Sequence, residues 1–76
     1  MSQWSVYRER DGFPVERATI GAFDLCVVYV AGEWQWLVRR EGRDVAEGTA
    51  RAALAARQQA EAMAHRINAA AMPQAA

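Results

Sequence analysis

Three groups of side chains in this chain have the atoms for chemistry, and their spacing decides whether they can use them. Cys26 is the only cysteine, and a thiol attacks as a nucleophile only once it is ionised. It stands inside Leu25-Cys26-Val27-Val28-Tyr29-Val30, an apolar run in which a thiol packs like a small hydrophobe. Glu61 and His65 lie one helical turn apart, which more often makes a weak surface pair than an acid–base dyad. Thr49, Arg51 and Arg57 follow Gly48, where a helix is expected to start. Free N–H groups at such a start attract phosphate, and a cation in the first turn, where the dipole disfavours it, can signal an expected anion. The plainer reading of Arg51 is a solvated surface residue. No phosphate loop, nucleophile elbow or metal-ligand spacing is present. The expectation is a chain that is not an enzyme and needs no cofactor.

Size sets the next bound. Seventy-six residues make one small domain that buries only about 60% of its unfolded surface. Chains this short gain stability from disulfides, metals, self-association or very regular packing. One cysteine excludes an internal disulfide, and a lone His65 has no second imidazole with which to share a metal. Nine basic and nine acidic residues cancel, which disfavours a nonspecific clamp for nucleic acid or anionic membranes. No run approaches the roughly 18 apolar residues of a membrane-spanning helix. Met1-Ser2-Gln3-Trp4 lacks the basic-then-apolar layout of a signal peptide, and a free thiol suits a reducing compartment, so a cytoplasmic setting is expected.

The elements that must carry these residues are strands, then one helix. Trp4 to Arg8 alternates like a short strand, and Asp11-Gly12 is a turn signal. Phe13-Pro14-Val15 can pair back, with Pro14 confining it to an edge, and Arg17 to Ile20 forms a further extended piece. Phe23 to Val30 is a clear strand, apolar enough to be covered on both faces. Trp34 to Arg40 is the second clear strand and Arg43 to Glu47 the third. The Ala-rich stretch from Thr49 to about Ala71 reads as one long helix, with Thr49 as N-cap and no capping box. Ala53, Ala56, Ala60, Met63, Ala64 and Ile67 share its inward face. Alanines permit a close approach to the sheet, and Trp34, Trp36, Tyr29 and Leu25 supply the bulk.

Register follows if the Ala31-Gly32 and Glu41-Gly42 loops hold two residues each. One face then carries Tyr29 beside Trp34, Val27 beside Trp36 beside Glu47, and Leu25 beside Val38 beside Val45. The other carries Val28 beside Gln35, Cys26 beside Leu37 beside Ala46, and Arg39 between Asp24 and Asp44, which cross-strand pairing favours. Cys26, Val28, Leu37 and Ala46 thus form an apolar strip on the face away from the helix, and Leu54 also points away from the alanine stripe. Contiguous apolar patches mark contacts. Either the N-terminal segment covers the strip with Trp4, Val6 and Phe13, or a second copy does, and a homodimer is preferred.

Two resemblances bear on the fold. Three strands followed by Glu47-Gly48-Thr49-Ala50-Arg51-Ala52-Ala53-Leu54 are similar in topology to the C-terminal half of double-stranded-RNA-binding domains. That family's helix opens with lysines that meet phosphates; here alanines stand in their place, and its first helix has no counterpart in residues 1–15. The likeness implies a topology without the RNA contacts. Trp34, Trp36, Val38, Gly42, Ala46, Gly48 and Ala50 resemble the Trp-x-Trp-x-Val strand and Ala-x-Gly-x-Ala helix entry of small bacterial and phage domains of unassigned function. That likeness implies the fold and no activity.

The resulting expectation is an α+β fold: an antiparallel β-meander of three or more strands with one long C-terminal α-helix packed on one face. Residues 1–71 form the domain and 72–76 a frayed tail. The expected function is a noncatalytic binding or assembly module, a homodimer or a binder of another protein, with Cys26, Val28, Leu37, Ala46 and Leu54 as its interface. The competing reading is a nucleic-acid or phosphate-binding accessory domain that uses Thr49, Arg51 and Arg57 with Arg39 and Arg40. Nucleic acid is the disfavoured partner, and no membrane is expected.

Overall fold

Four tight loops set the architecture. Asp11-Gly12, Gly21-Ala22, Ala31-Gly32 and Glu41-Gly42 recur every ten residues and separate strands that pair with their neighbours in sequence. Three of the loops hold both residues at positive φ, the type I′ geometry whose twist matches that of paired strands. The second has positive φ only at Gly21, the pattern of a type II′ turn. The computed structural model describes residues 3–71, so the expected tail at 72–76 lies outside the described residues. The strands are β1 (Ser5–Arg10), β2 (Phe13–Ile20), β3 (Phe23–Val30), β4 (Glu33–Arg40) and β5 (Arg43–Ala50), followed by α1 (Ala53–Ala71). They form one antiparallel sheet in the order β1-β2-β3-β4-β5, and α1 packs on one face of it. The fold is α+β, a five-stranded meander with one helix.

The first hairpin is longer than the sequence suggests. Phe13 to Val15 and Arg17 to Ile20 are one strand, not two pieces. Pro14 is tolerated because β2 pairs with β3 only from Glu16 onward, so at Pro14 the strand has a partner on one side alone. Tyr7 is an extra residue in β1, a bulge between the Val6–Glu16 and Arg8–Val15 pairs.

The β3–β4 register is the one expected, from Asp24 opposite Arg39 to Tyr29 opposite Trp34. The β4–β5 register is not. Arg39 still faces Asp44, but Val38 faces Ala46, which leaves Val45 as a bulge with 44% of its surface exposed. Beyond the bulge every β5 residue is shifted by one, so Leu37 faces Glu47 and Trp36 faces Gly48. A small residue then lies beneath each large one, and Glu47 leaves the helix side.

The shift also delays the helix. β5 continues until Ala50 has paired with Trp34, so Thr49 is a strand residue opposite Gln35 and not the N-cap. Arg51 and Ala52 form a bend, and the first turn of α1 closes with Ala56 N donating to Ala52 O at 3.0 Å. Arg51 therefore precedes the helix.

Ala56, Ala60 and Ala64 form a fully buried ridge, the spacing of one helix face, against Phe23, Leu25, Val27, Trp36 and Val38. Burying each of those larger side chains contributes about 1.5–3 kcal/mol. Met63 and Ile67 close the edge of the layer. The Trp36 indole lies directly over Gly48, where an added Cβ would come within 2.6 Å of Cε2, and Trp36 Nε1 donates to Gln59 Oε1 at 2.9 Å. The helix is seated on tryptophans, as the alanine pattern requires.

Candidate functional site

The side of the sheet away from α1 carries the other half of each strand's alternation. Arg17, Cys26, Leu37 and Glu47 form one continuous cross-strand row on it. Thr19, Asp24, Arg39 and Asp44 form the next row. Val28 and Val15 extend the apolar centre, and a groove of about 350 Å³ runs among Val15, Cys26, Val28 and Leu37 under Tyr7 and Arg17. Val15 is buried, and Cys26, Val28 and Leu37 are half-buried. Cys26, Val28 and Leu37 share this face, a narrower strip than expected.

Ala46 does not belong to it. The bulge at Val45 turns Ala46 toward the helix, where it packs on the core, and puts Glu47 beside Leu37 instead. Leu54 is 59% exposed, but it sits on α1, on the other side of the sheet, and does not extend the strip. Nor does the N-terminal segment fold across the strip with Trp4, Val6 and Phe13. β1 lies in the plane of the sheet, Trp4 reaches the helix side to donate from Nε1 to Glu61 Oε2, and Val6 is exposed. Phe13 stacks on Tyr29 with ring centroids 4.1 Å apart and meets Trp34 edge-on. From β1, the aromatic that lines the groove is Tyr7.

Charge on this face is divided. Arg8, Arg10 and Arg17 line the groove on the β1–β2 side, whereas Glu47 and Asp44 stand on β5. Arg17 Cζ lies 4.9 Å from the Tyr7 ring centroid and Arg8 Cζ 5.9 Å, so the ring holds two guanidinium groups on that edge. Arg39 Nε donates to Asp44 Oδ1 at 2.6 Å, an ion pair half exposed on both sides and worth under about 1 kcal/mol. Burial pushes the Cys26 thiol above its ordinary value of 9.0, and Arg17, Arg39 and Arg8 pull it back only in part. At neutral pH it is a protonated, packed thiol.

The expected anion site does not assemble. Thr49 is in the β5 ladder, Arg51 is an exposed bend residue, and Arg57 is bound to Glu16, with Nη2 3.0 Å from the carboxylate. Glu16 is the one buried charged residue among those described, at 7% exposure. It occupies an inward position of β2 with Ala18 and Ile20, a placement that alternation would have revealed had β2 been read as one strand. Glu61 accepts from Trp4, and His65 is exposed one turn further on. Among the described residues no group of three or more His, Cys, Asp or Glu is placed to hold a metal ion, and no helix is long and apolar enough to cross a membrane.

Comparison with protein-family models, with curated proteins and with solved structures gave no match.

Proposed function

We propose that this chain is a noncatalytic assembly module that binds a second copy of itself through the sheet face α1 leaves open. The observation that carries the reading is the half-buried strip of Cys26, Val28 and Leu37, flanked by opposite charges and bordered by β1 only through Tyr7, Arg8 and Arg10. Five strands at about 4.8 Å spacing and about 26 Å length present a face of roughly 600 Å². Two such faces bury about 1,200 Å² at most, near the lower limit of specific interfaces, where complexes are weak and reversible, so an association of about micromolar strength is expected. The lone protonated thiol on that face fits a reducing, cytoplasmic setting.

Amide spectra recorded during dilution test the reading. Concentration-dependent shifts are expected along the rows through Cys26 and Leu37 and not on the outer side of α1. Shifts confined to α1, or none at any concentration, contradict it.

A second reading has its own support. Arg8, Arg10, Arg17 and Arg39 line the groove with Tyr7 against one acid, Asp24, which suits a phosphate-bearing strand with a base to stack. It differs from the site at Thr49, Arg51 and Arg57 in using the sheet. A salt titration against labelled single-stranded DNA and duplex RNA decides it, and no binding at low salt ends it.

A further inference from the structure

The cross-strand rows of the open face have a symmetry of their own. Across the β3–β4 boundary, Cys26 stands beside Leu37, with Arg17 outside the first and Glu47 outside the second. The sequence of the row is therefore cation, apolar, apolar, anion. In the neighbouring row Asp24 and Arg39 flank the same boundary.

A twofold axis between two stacked sheets must lie in the plane between them. If it runs along the strands between β3 and β4, each strand meets its mirror position across the axis: β3 faces β4 of the other copy, β2 faces β5, and β1 lies outside the paired strands. If it runs across the strands at the level of the Arg17–Glu47 row, every residue of that row faces its own counterpart. In the first case Arg17 meets Glu47 of a second copy, Cys26 meets Leu37, and Asp24 meets Arg39. In the second case Arg17 meets Arg17 and Glu47 meets Glu47, like on like. Juxtaposed like charges oppose association and opposite ones favour it.

We infer that the open face is an isologous dimer interface whose twofold axis lies between β3 and β4, close to parallel with them, joining Arg17 of each copy to Glu47 of the other. The inference rests on the self-association proposed above and adds its geometry. Because the interface is isologous, each pair occurs twice and each substitution counts twice. The roughly 30° between aligned packed sheets turns each strand by only about 15° from the axis, a displacement that arginine and glutamate side chains can span.

A charge-exchange cycle followed by sedimentation tests it on the full chain. Arg17→Glu and Glu47→Arg are each expected to weaken the dimer by about tenfold or more, since two attractive contacts become two repulsive ones. The double variant Arg17→Glu/Glu47→Arg is expected to recover an affinity within about threefold of the unsubstituted chain, because the pairs are re-formed with signs exchanged. Both residues are exposed on the sheet, and a circular dichroism melt establishes that each variant is folded; either single variant alone carries the first expectation. Single variants that leave the affinity unchanged, or a double variant without recovery, overturn this axis while the dimer stands. An unsubstituted chain that stays monomeric at every concentration overturns the dimer itself.

Discussion

Gly48→Ala probes the contact on which the helix layer depends. Gly48 lies beneath the Trp36 indole, where an alanine Cβ would come within 2.6 Å of Cε2 and 2.8 Å of Nε1. Ordinary contact begins at 3.4 Å and Cζ2 lies nearer still than Cε2, so the ring must retreat by about 1 Å. That retreat presses the ring toward Gln59 and Met63 and strains the 2.9 Å bond from Nε1 to Gln59. Overpacking of this kind costs about 1–3 kcal/mol. Gly48 does not have a positive φ, so the substitution also reduces unfolded-chain entropy and returns about 0.4–1 kcal/mol. The net loss is about 1–2 kcal/mol, a fall in Tm of about 5–15 °C for a domain this small. Thermal melts followed by circular dichroism measure it. In a Trp36→Leu background the clash is gone and the same substitution is expected to stabilise. A Gly48→Ala variant as stable as the unsubstituted chain in both backgrounds would refute the packing described for Trp36.

Three further outcomes are expected. Ala31 has a φ of 52° in a type I′ loop, so Ala31→Asn is expected to raise stability by about 0.5–1 kcal/mol in urea titration. Arg57→Met leaves Glu16 buried without its cation and is expected to destabilise by about 2 kcal/mol, discounted from the fully buried case because Arg57 is about one-third exposed. Raised by burial, the Cys26 thiol holds its proton more tightly in the folded chain than in the unfolded one. Its contribution to stability is thus complete below 9.0 and lost as pH rises through the folded value, so melts should fall between neutral pH and pH 10 less in Cys26→Ser than in the unsubstituted chain.

How much was legible before the structure depends on which interactions are local. β3, its loop and β4 were readable because the Val-rich run, Ala31-Gly32 and Trp34-Gln35-Trp36 sit within a few residues of one another. Their register followed from a two-residue loop alone. The alternation of β5 points to the wrong register because a bulge at Val45 has no local signature. A long-range signal did exist: the unbulged register puts Glu47 beside Trp36 under the helix, an unpaired charge in the core, whereas one extra residue brings Gly48 there instead. The same shift moves Ala46 from the open face to the core. The early helix start came from Gly48-Thr49, which looks like a cap, but the strand had two more residues to pair. The ten-residue recurrence of Asp11-Gly12, Gly21-Ala22, Ala31-Gly32 and Glu41-Gly42 would have joined the two pieces of β2. The Glu16–Arg57 pair, between residues far apart in the chain, could not be inferred without the fold.

The open face is an asymmetric surface on a small scaffold: basic at one edge, acidic at the other, apolar between. A monomer leaves Leu37 half-buried at its centre, and the proposed dimer would complete its burial. Sedimentation equilibrium from about 5 to about 500 µM, run on the unsubstituted chain beside Leu37→Arg, measures this directly. Leu37→Arg places its charge opposite Glu47 in its own chain, so the fold is expected to persist while the interface loses its apolar centre. The expected result is a micromolar monomer–dimer equilibrium that Leu37→Arg abolishes without lowering Tm by more than a few degrees. A strictly monomeric unsubstituted chain, or a dimer indifferent to Leu37→Arg, contradicts it.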